Sequence, residues 1–144
     1  MSVEIRVYIN DRQVRESLGA LSRRMGDMTP VMRNIGEIVR ASVIRNFREE
    51  RDPSGARWKP SLRALLTRGK TLTDTAILRN SINVRPEPGR VSVGTNVVYA
   101  AIHQFGGKAG RGHKVNLPAR PFLGVRDSDW GGIKRAIVDY LARV

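Results

Sequence analysis

The sequence predicts an α+β fold: a small antiparallel sheet packed by a long amphipathic helix and a C-terminal helix. Three observations predict it. Two stretches alternate apolar and polar residues with the period of a strand. Two others repeat apolar residues with the period of a helix. These patterns come in runs rather than in strict strand–helix alternation. The chain has 144 residues, the usual size of one domain, and a single domain over 1–144 is expected, without internal repeats. A chain of this length buries roughly 68–70% of its unfolded surface, enough for a core without staples.

Each element follows from its residues. Val3, Ile5, Val7 and Ile9 alternate with Glu4, Arg6 and Tyr8, the pattern of a half-buried strand. Asp11 offers an N-cap to a helix carrying Val14, Leu18, Leu21 and Met25, with Gly26 as its stop. Thr29-Pro30 is a second start signal, a cap residue followed by Pro in the first turn. Met32, Ile35, Val39, Val43 and Phe47 then form one apolar stripe with Ile38 beside it, while Arg33, Arg40, Arg45 and Arg48 lie mostly off it. This predicts an amphipathic helix over 30–50.

Asp52-Pro53-Ser54-Gly55 is turn chemistry. Residues 55–72 read as polar and irregular, apart from the anchor Trp58 and a short helical turn carrying Leu62, Leu65 and Leu66. Thr73 is the expected cap of a short helix carrying Ala76, Ile77 and Leu78. Ile82 and Val84, then Val91 and Val93, flank the turn Pro86-Glu87-Pro88-Gly89 and predict a β-hairpin. Asn96 is the expected cap of a segment over Val97–Phe105 that ends at Gly106-Gly107, with Tyr99, Ile102 and Phe105 as its apolar face.

Residues 106–117, GGKAGRGHKVNL, offer almost nothing to bury and read as a mobile basic loop. Pro118-Ala119-Arg120-Pro121 stiffens the chain ahead of Phe122 and Leu123, which read as buried. Ser128 or Asp129 caps a last helix with Trp130, Ile133, Ile137, Tyr140, Leu141 and Val144 at helical spacing. Asp127 and Asp129 at its start and Arg143 at its end suit the helix dipole.

Composition excludes several classes. There is no Cys, which removes disulfide scaffolds, Cys-based zinc sites and thiol catalysis. No apolar run approaches the ~18 residues of a membrane helix, and no membrane partner is expected. MSVEIRVYIN lacks the charged start and apolar run of a signal peptide, so folding in a reducing cytoplasm is expected. His103 and His113 lie apart, so neither a metal nor another cofactor is expected. There is no G-x-S-x-G and no phosphate-loop signature, and catalytic residues are expected to be absent. Arg111, Lys114 and the loop amides remain candidates for touching an anion, against the plainer reading of a solvated loop. His103 and Gln104 read as hydrogen-bonded structural groups.

Charge is the strongest compositional feature. Lys and Arg number 26 against 13 acids, a net charge of +13, and the isoelectric point is about 11.4. Such a balance favours polyanions or acidic protein surfaces as neighbours, and the preference for Arg suits protein interfaces as well as nucleic acid. Between Glu87 and Asp127 there is no acid, whereas Arg90, Lys108, Arg111, Lys114, Arg120 and Arg126 all fall there. These six are the candidate contacts to DNA or to an acidic partner. Non-specific DNA binding is therefore an alternative function. Stacking aromatics are scarce, and the helix over 30–50 is too long and too apolar on one face for an ordinary recognition helix.

Two strings carry a family likeness. Val98-Tyr99-Ala100-Ala101-Ile102-His103-Gln104-Phe105-Gly106-Gly107 and Leu117-Pro118-Ala119-Arg120-Pro121-Phe122-Leu123-Gly124 together resemble the phage virion morphogenesis family, tail completion proteins of Mu-like and related contractile-tailed phages. Upstream, Phe47, Asp52-Pro53, Gly55, Trp58 and Pro60 are similar to the family's turn after its long helix. Leu72 to Ile82 is similar to a further family segment, with Ala76 where the family often has Gly, and Val91-Ser92-Val93-Gly94 matches its following strand. The likeness spans about residues 30–144.

The resemblance implies a non-enzymatic structural protein of the virion, made in the host bacterial cytoplasm and placed at the head-proximal end of the tail, in or beside the neck. It implies a homo-oligomeric ring, expected to be hexameric, that contacts neighbouring neck and tail proteins and DNA passing through its channel. The candidate subunit or partner interface is Tyr99, His103, Gln104, Phe105, Gly106, Gly107, Arg111, Lys114, Pro118, Arg120, Pro121 and Phe122. On this reading the 106–117 loop is mobile in the free subunit and docks on a neighbour. The other reading is that both strings brace the fold, since Tyr99, Phe105 and Phe122 also read as core residues.

Overall fold

The structure is a computed structural model that describes residues 3–7, 12, 15–16, 18–19, 27–73 and 75–142. The first strand, β1, is Val3–Val7; Ile9 lies outside the described residues. Of the helix expected over 11–26, residues 12, 15–16 and 18–19 are helical and Leu18 packs against the core, while Asp11, Val14, Leu21, Met25 and Gly26 lie outside the described residues.

The long helix α1 is Thr29–Glu49. Every residue of its predicted stripe is buried, and Ile38 is half-buried beside them. Its cap differs from expectation. The Asp27 carboxylate, not Thr29, takes the terminal donors, accepting from Thr29 N at 2.9 Å and also from the Thr29 hydroxyl. Those bonds, the hydroxyl first, hold the Asp27 carboxyl below its usual range.

β2 (Asn83–Pro86) and β3 (Val91–Thr95) form the expected hairpin. β3 is the central strand, with β1 and β2 antiparallel on either side in the order β1-β3-β2. The register pairs Ile5 and Val84 with Val93. α1 lies across β2 and β3 and also packs on the last helix, α5 (Asp129–Ala142). Close approach of α1 to the sheet depends on Gly36. A Cβ there would stand 2.2 Å from Val84 Cγ1 and 2.8 Å from Val91 Cγ2, a collision that outweighs the ~1 kcal/mol cost of Gly inside a helix. Ile133 and Ile137 of α5 are buried in the same core, with Trp130 and Tyr140 packed against it. The side chain of Leu141, and Arg143 and Val144, lie outside the described residues.

The connections hold three short helices: α2 (Leu62–Thr67), α3 (Ile77–Asn80) and α4 (Ala100–Phe105). Ser61 caps α2, its hydroxyl accepting from Ala64 N at 3.1 Å. α3 is preceded by Ala76 rather than capped by Thr73, and Ala76 adopts a left-handed conformation at φ 61°. That geometry favours Gly, so Ala76 sits there against the ordinary preference of a residue with a Cβ. α4 begins three residues later than the expected Val97, after Tyr99, with no side-chain cap.

The segment over 106–117 is a correction. It is not an irregular loop but a two-stranded antiparallel hairpin, β4 (Gly107–Ala109) and β5 (Val115–Leu117), joined through a tight turn at Arg111–His113. Lys108 faces Asn116 across it. The expectation rested on the lack of apolar residues, but paired backbone groups hold this ribbon. Positive φ at Gly107, Gly110 and Gly112 sets its path.

Candidate interaction surface

The two strings that carry the family likeness meet in space. Residues 118–124 run as an extended strap with no strand partner, so their backbone polar groups need side-chain partners. Gln104 of α4 supplies them. Its amide oxygen accepts from Phe122 N and Leu123 N, each at 3.0 Å, and its amide nitrogen donates to Leu123 O at 3.1 Å. Asn46 Nδ2 donates to Phe122 O at 2.9 Å, and Trp58 Nε1 donates to Pro121 O at 2.8 Å. Arg120 N donates to His103 O at 2.7 Å, and Arg120 Nε to Lys59 O at 2.7 Å.

Aromatic packing seals this knot from below. Phe47 meets Trp58 edge-on at 5.6 Å and Phe122 at 5.2 Å between ring centroids. Glycines let the backbones close in. A Cβ on Gly106, which has φ 73°, would stand 2.7 Å from Ala119 N, and one on Gly124 would stand 2.5 Å from Pro53 Cγ. Asp52 orders the turn before Trp58, accepting from Ser54 N at 2.9 Å and Ala56 N at 3.0 Å. The Ser54 hydroxyl contributes most to holding its carboxyl below the usual range.

This geometry sorts the candidate residues. Gln104, Arg120 and Phe122 are buried, and Gly106, Pro118 and Pro121 are half-buried in the knot. Tyr99 and Phe105 correct the expectation that they belong to the core, being 46% and 71% exposed. α4 buries Ala100 and Gln104 instead, because the strap's amides demand a polar partner where an apolar face was expected. Gly107, Lys108, Arg111 and Lys114 are exposed on the hairpin. Arg126 is turned inward, donating to Asn46 Oδ1 at 2.8 Å and Glu49 Oε2 at 3.1 Å. Arg90 pairs with Glu87 across the β2–β3 turn, with Nη2 at 3.1 Å from Oε1. The six cations singled out in the sequence thus divide into three on the hairpin, one across the β2–β3 turn and two held within the fold.

Beside the knot lies a groove of about 290 Å³, lined from α2, α3, α4, β5 and the strap. His103 lines it, edge-on to Tyr99 at 5.9 Å. Its Nδ1 is buried without a hydrogen-bond partner. Burial, and then the charge of Arg120, push the imidazole below its ordinary value, so the neutral form is favoured there. Burial likewise lowers the Arg120 guanidinium. Among the described residues no three acidic or histidine side chains cluster to hold a metal ion, and no helix is long and apolar enough to cross a membrane.

Sequence reasoning missed Gly36, the role of Asn46 and the groove. Gln104 had a usable signal: a strap with two prolines and no strand partner requires a polar side chain close by.

Comparison with known proteins agrees with the likeness in the two strings. The model of the phage virion morphogenesis family matches residues 9–142. A curated relative, Mu-like prophage FluMu G protein 2 of Haemophilus influenzae, is 39% identical over 137 residues, covering 94% of this chain and 95% of the relative. No solved structure matches. The chain belongs to the phage virion morphogenesis family, and its role lies in phage morphogenesis.

Proposed function

We propose that this protein is a structural, non-enzymatic subunit that forms a homo-oligomeric ring, hexameric in our reading, at the head-proximal end of the tail and makes the tail competent to join a head. Its place is in the virion, at the tail or neck, with neighbouring neck and tail proteins as partners. The observation that carries this reading is the exposed edge formed by Phe105 and the β4–β5 hairpin. Phe105 is 71% exposed and Val115 52% exposed, and Lys108, Arg111 and Lys114 are exposed on the same hairpin as Val115. The core has no use for these residues, and an exposed apolar group rimmed by charge suits a subunit contact. A closed ring requires such a patch to meet a different patch on the next copy.

The test is assembly. Purified protein, alone or mixed with the flanking tail proteins, should give closed rings in negative-stain microscopy. Phage lacking the gene should accumulate separate heads and tails. Protein that stays monomeric with its virion neighbours, or mutant phage that joins heads to tails normally, would overturn the proposal.

A second reading comes from the same hairpin, whose exposed Lys108, Arg111 and Lys114 also suit phosphates. Duplex binding with a salt slope near ~0.9 per neutralised phosphate, lost when these three become Ser, would favour direct DNA contact.

A further inference from the structure

The groove beside the knot carries an inference that goes beyond ring formation and does not depend on it. Two acid-free stretches of the chain, 53–73 and 88–126, supply most of its wall. Arg120 is only 5% exposed and lines it. Its Nε is committed to a carbonyl, Lys59 O, and among the described residues no carboxylate pairs with the guanidinium or lines the groove. A cation held partly out of water, with no carboxylate beside it among the described residues, favours an incoming carboxylate. Two of the residues lining the groove are large, apolar and exposed, Ile77 at 56% and Tyr99 at 46%.

We propose that this groove is the docking site for an acidic, apolar-bearing segment of another protein, with its carboxylate at Arg120 and its apolar side chains on Ile77 and Tyr99. A second copy of this chain does not match. It carries a net charge of +13, and its Glu49, Glu50, Asp52 and Asp129 are bonded within their own fold, leaving few exposed acids such as Asp127 and Asp139 among twice as many cations. Nucleic acid supplies the negative charge but nothing for the aliphatic Ile77. The partner is therefore a different, acidic protein, consistent with charge complementarity setting specificity across interfaces.

The experiment uses the full chain and three labelled probes in fluorescence anisotropy at physiological ionic strength. One is a peptide with Glu and Leu at helical spacing. The second is the same peptide with each Leu replaced by Ser. The third is a short DNA duplex. The Leu-bearing peptide should bind at least roughly tenfold tighter than either other probe. Ile77→Asp should weaken it by roughly tenfold or more, whereas Val138→Asp, an equally exposed change on α5, should not. Both variants alter exposed positions, and unchanged thermal melts confirm their folding. The proposal is overturned if the Ser peptide or the duplex binds as tightly, or if the two variants behave alike. It is also overturned if Ile77→Asp abolishes self-association in sedimentation, since the occupant is then a second copy. Ring formation is read separately by microscopy, so either idea can fail without the other.

Discussion

The strap over 118–124 and the hairpin over 107–117 are neighbours in the chain, yet opposite principles hold them. The strap has no regular structure, yet side chains from three separate parts of the chain tie it to the core. Gln104, Asn46 and Trp58 each bond its backbone, and Phe122 is fully buried. The hairpin is regular, but its strands pair mainly with each other and its side chains are largely exposed. Order in one is tertiary; order in the other is local. Regular secondary structure is therefore a poor guide to which segment anchors this fold. The division also separates stability, concentrated in the strap, from the surface left for partners.

The largest effect should come from cutting the strap loose at Gln104. Gln104→Leu keeps the volume but orphans two amides and a carbonyl in the interior. At ~1–3 kcal/mol for each unsatisfied group, the loss should reach ~3 kcal/mol or more in denaturant unfolding. A loss below ~1 kcal/mol would show that the strap has another anchor. Trp58→Phe is milder. It keeps a ring against Phe47 but leaves Pro121 O without its donor, and ~1–2 kcal/mol of destabilisation is expected.

How much of this was legible in the sequence follows the same division. α1 and α5 were readable because each buries one face over enough residues for the period to show, and the β2–β3 hairpin because turn residues separate two short apolar runs. The 106–117 ribbon was unreadable because it buries no face; its glycines announce turns but do not say which strands they join. α4 misled for a different reason. Six residues give too little periodicity, and apolar Tyr99, Ile102 and Phe105 outvoted Gln104. Burial there is decided by the strap's backbone, which lies nearly twenty residues away in sequence. Both strings were legible as one unit through their likeness to a family, whereas the groove exists only once distant segments meet.

A third, smaller effect bears on the α4 end of the strap. The folded environment lowers the His103 value below its ordinary 6.5. In the window between the two values the unfolded chain binds more protons than the folded one, so stability rises with pH there. It is fully present above the unfolded value and is lost as pH falls through about 6.5 toward the depressed value. Asp27 and Asp52, with values below 3.8, lose their contributions only in a separate, more acidic window. Unfolding measured between about pH 7.5 and about pH 5.5 should show the decline in the wild type and a weaker one in His103→Gln. Once the intrinsic pH dependence of exchange is divided out, protection of the Arg120 amide, bonded to His103 O, should fall over the same range while that of the hairpin amides does not change in step. Identical pH profiles for both proteins would remove His103 from this account.

The smallest expected change in stability is the one that isolates the hairpin. Lys108, Arg111 and Lys114 are exposed, and surface substitutions away from caps and networks stay within about 0.5 kcal/mol. Replacing all three by Ser should therefore leave the unfolding midpoint nearly where it was. The three side chains should matter to assembly instead, because a cationic rim governs encounter and register more than folding. Rings should form more slowly or at higher protein concentration, with the defect growing at low salt. Hydrogen exchange supplies the complementary reading. In the free subunit the hairpin amides should exchange well before those of Phe122 and Leu123, because a two-stranded ribbon opens on its own whereas the strap opens only with the core around Phe47. In assembled particles the hairpin should slow and the strap should barely change. If hairpin and strap exchanged together in the free protein, the two would belong to one cooperative unit, and the separation of stability from recognition drawn between them would be wrong.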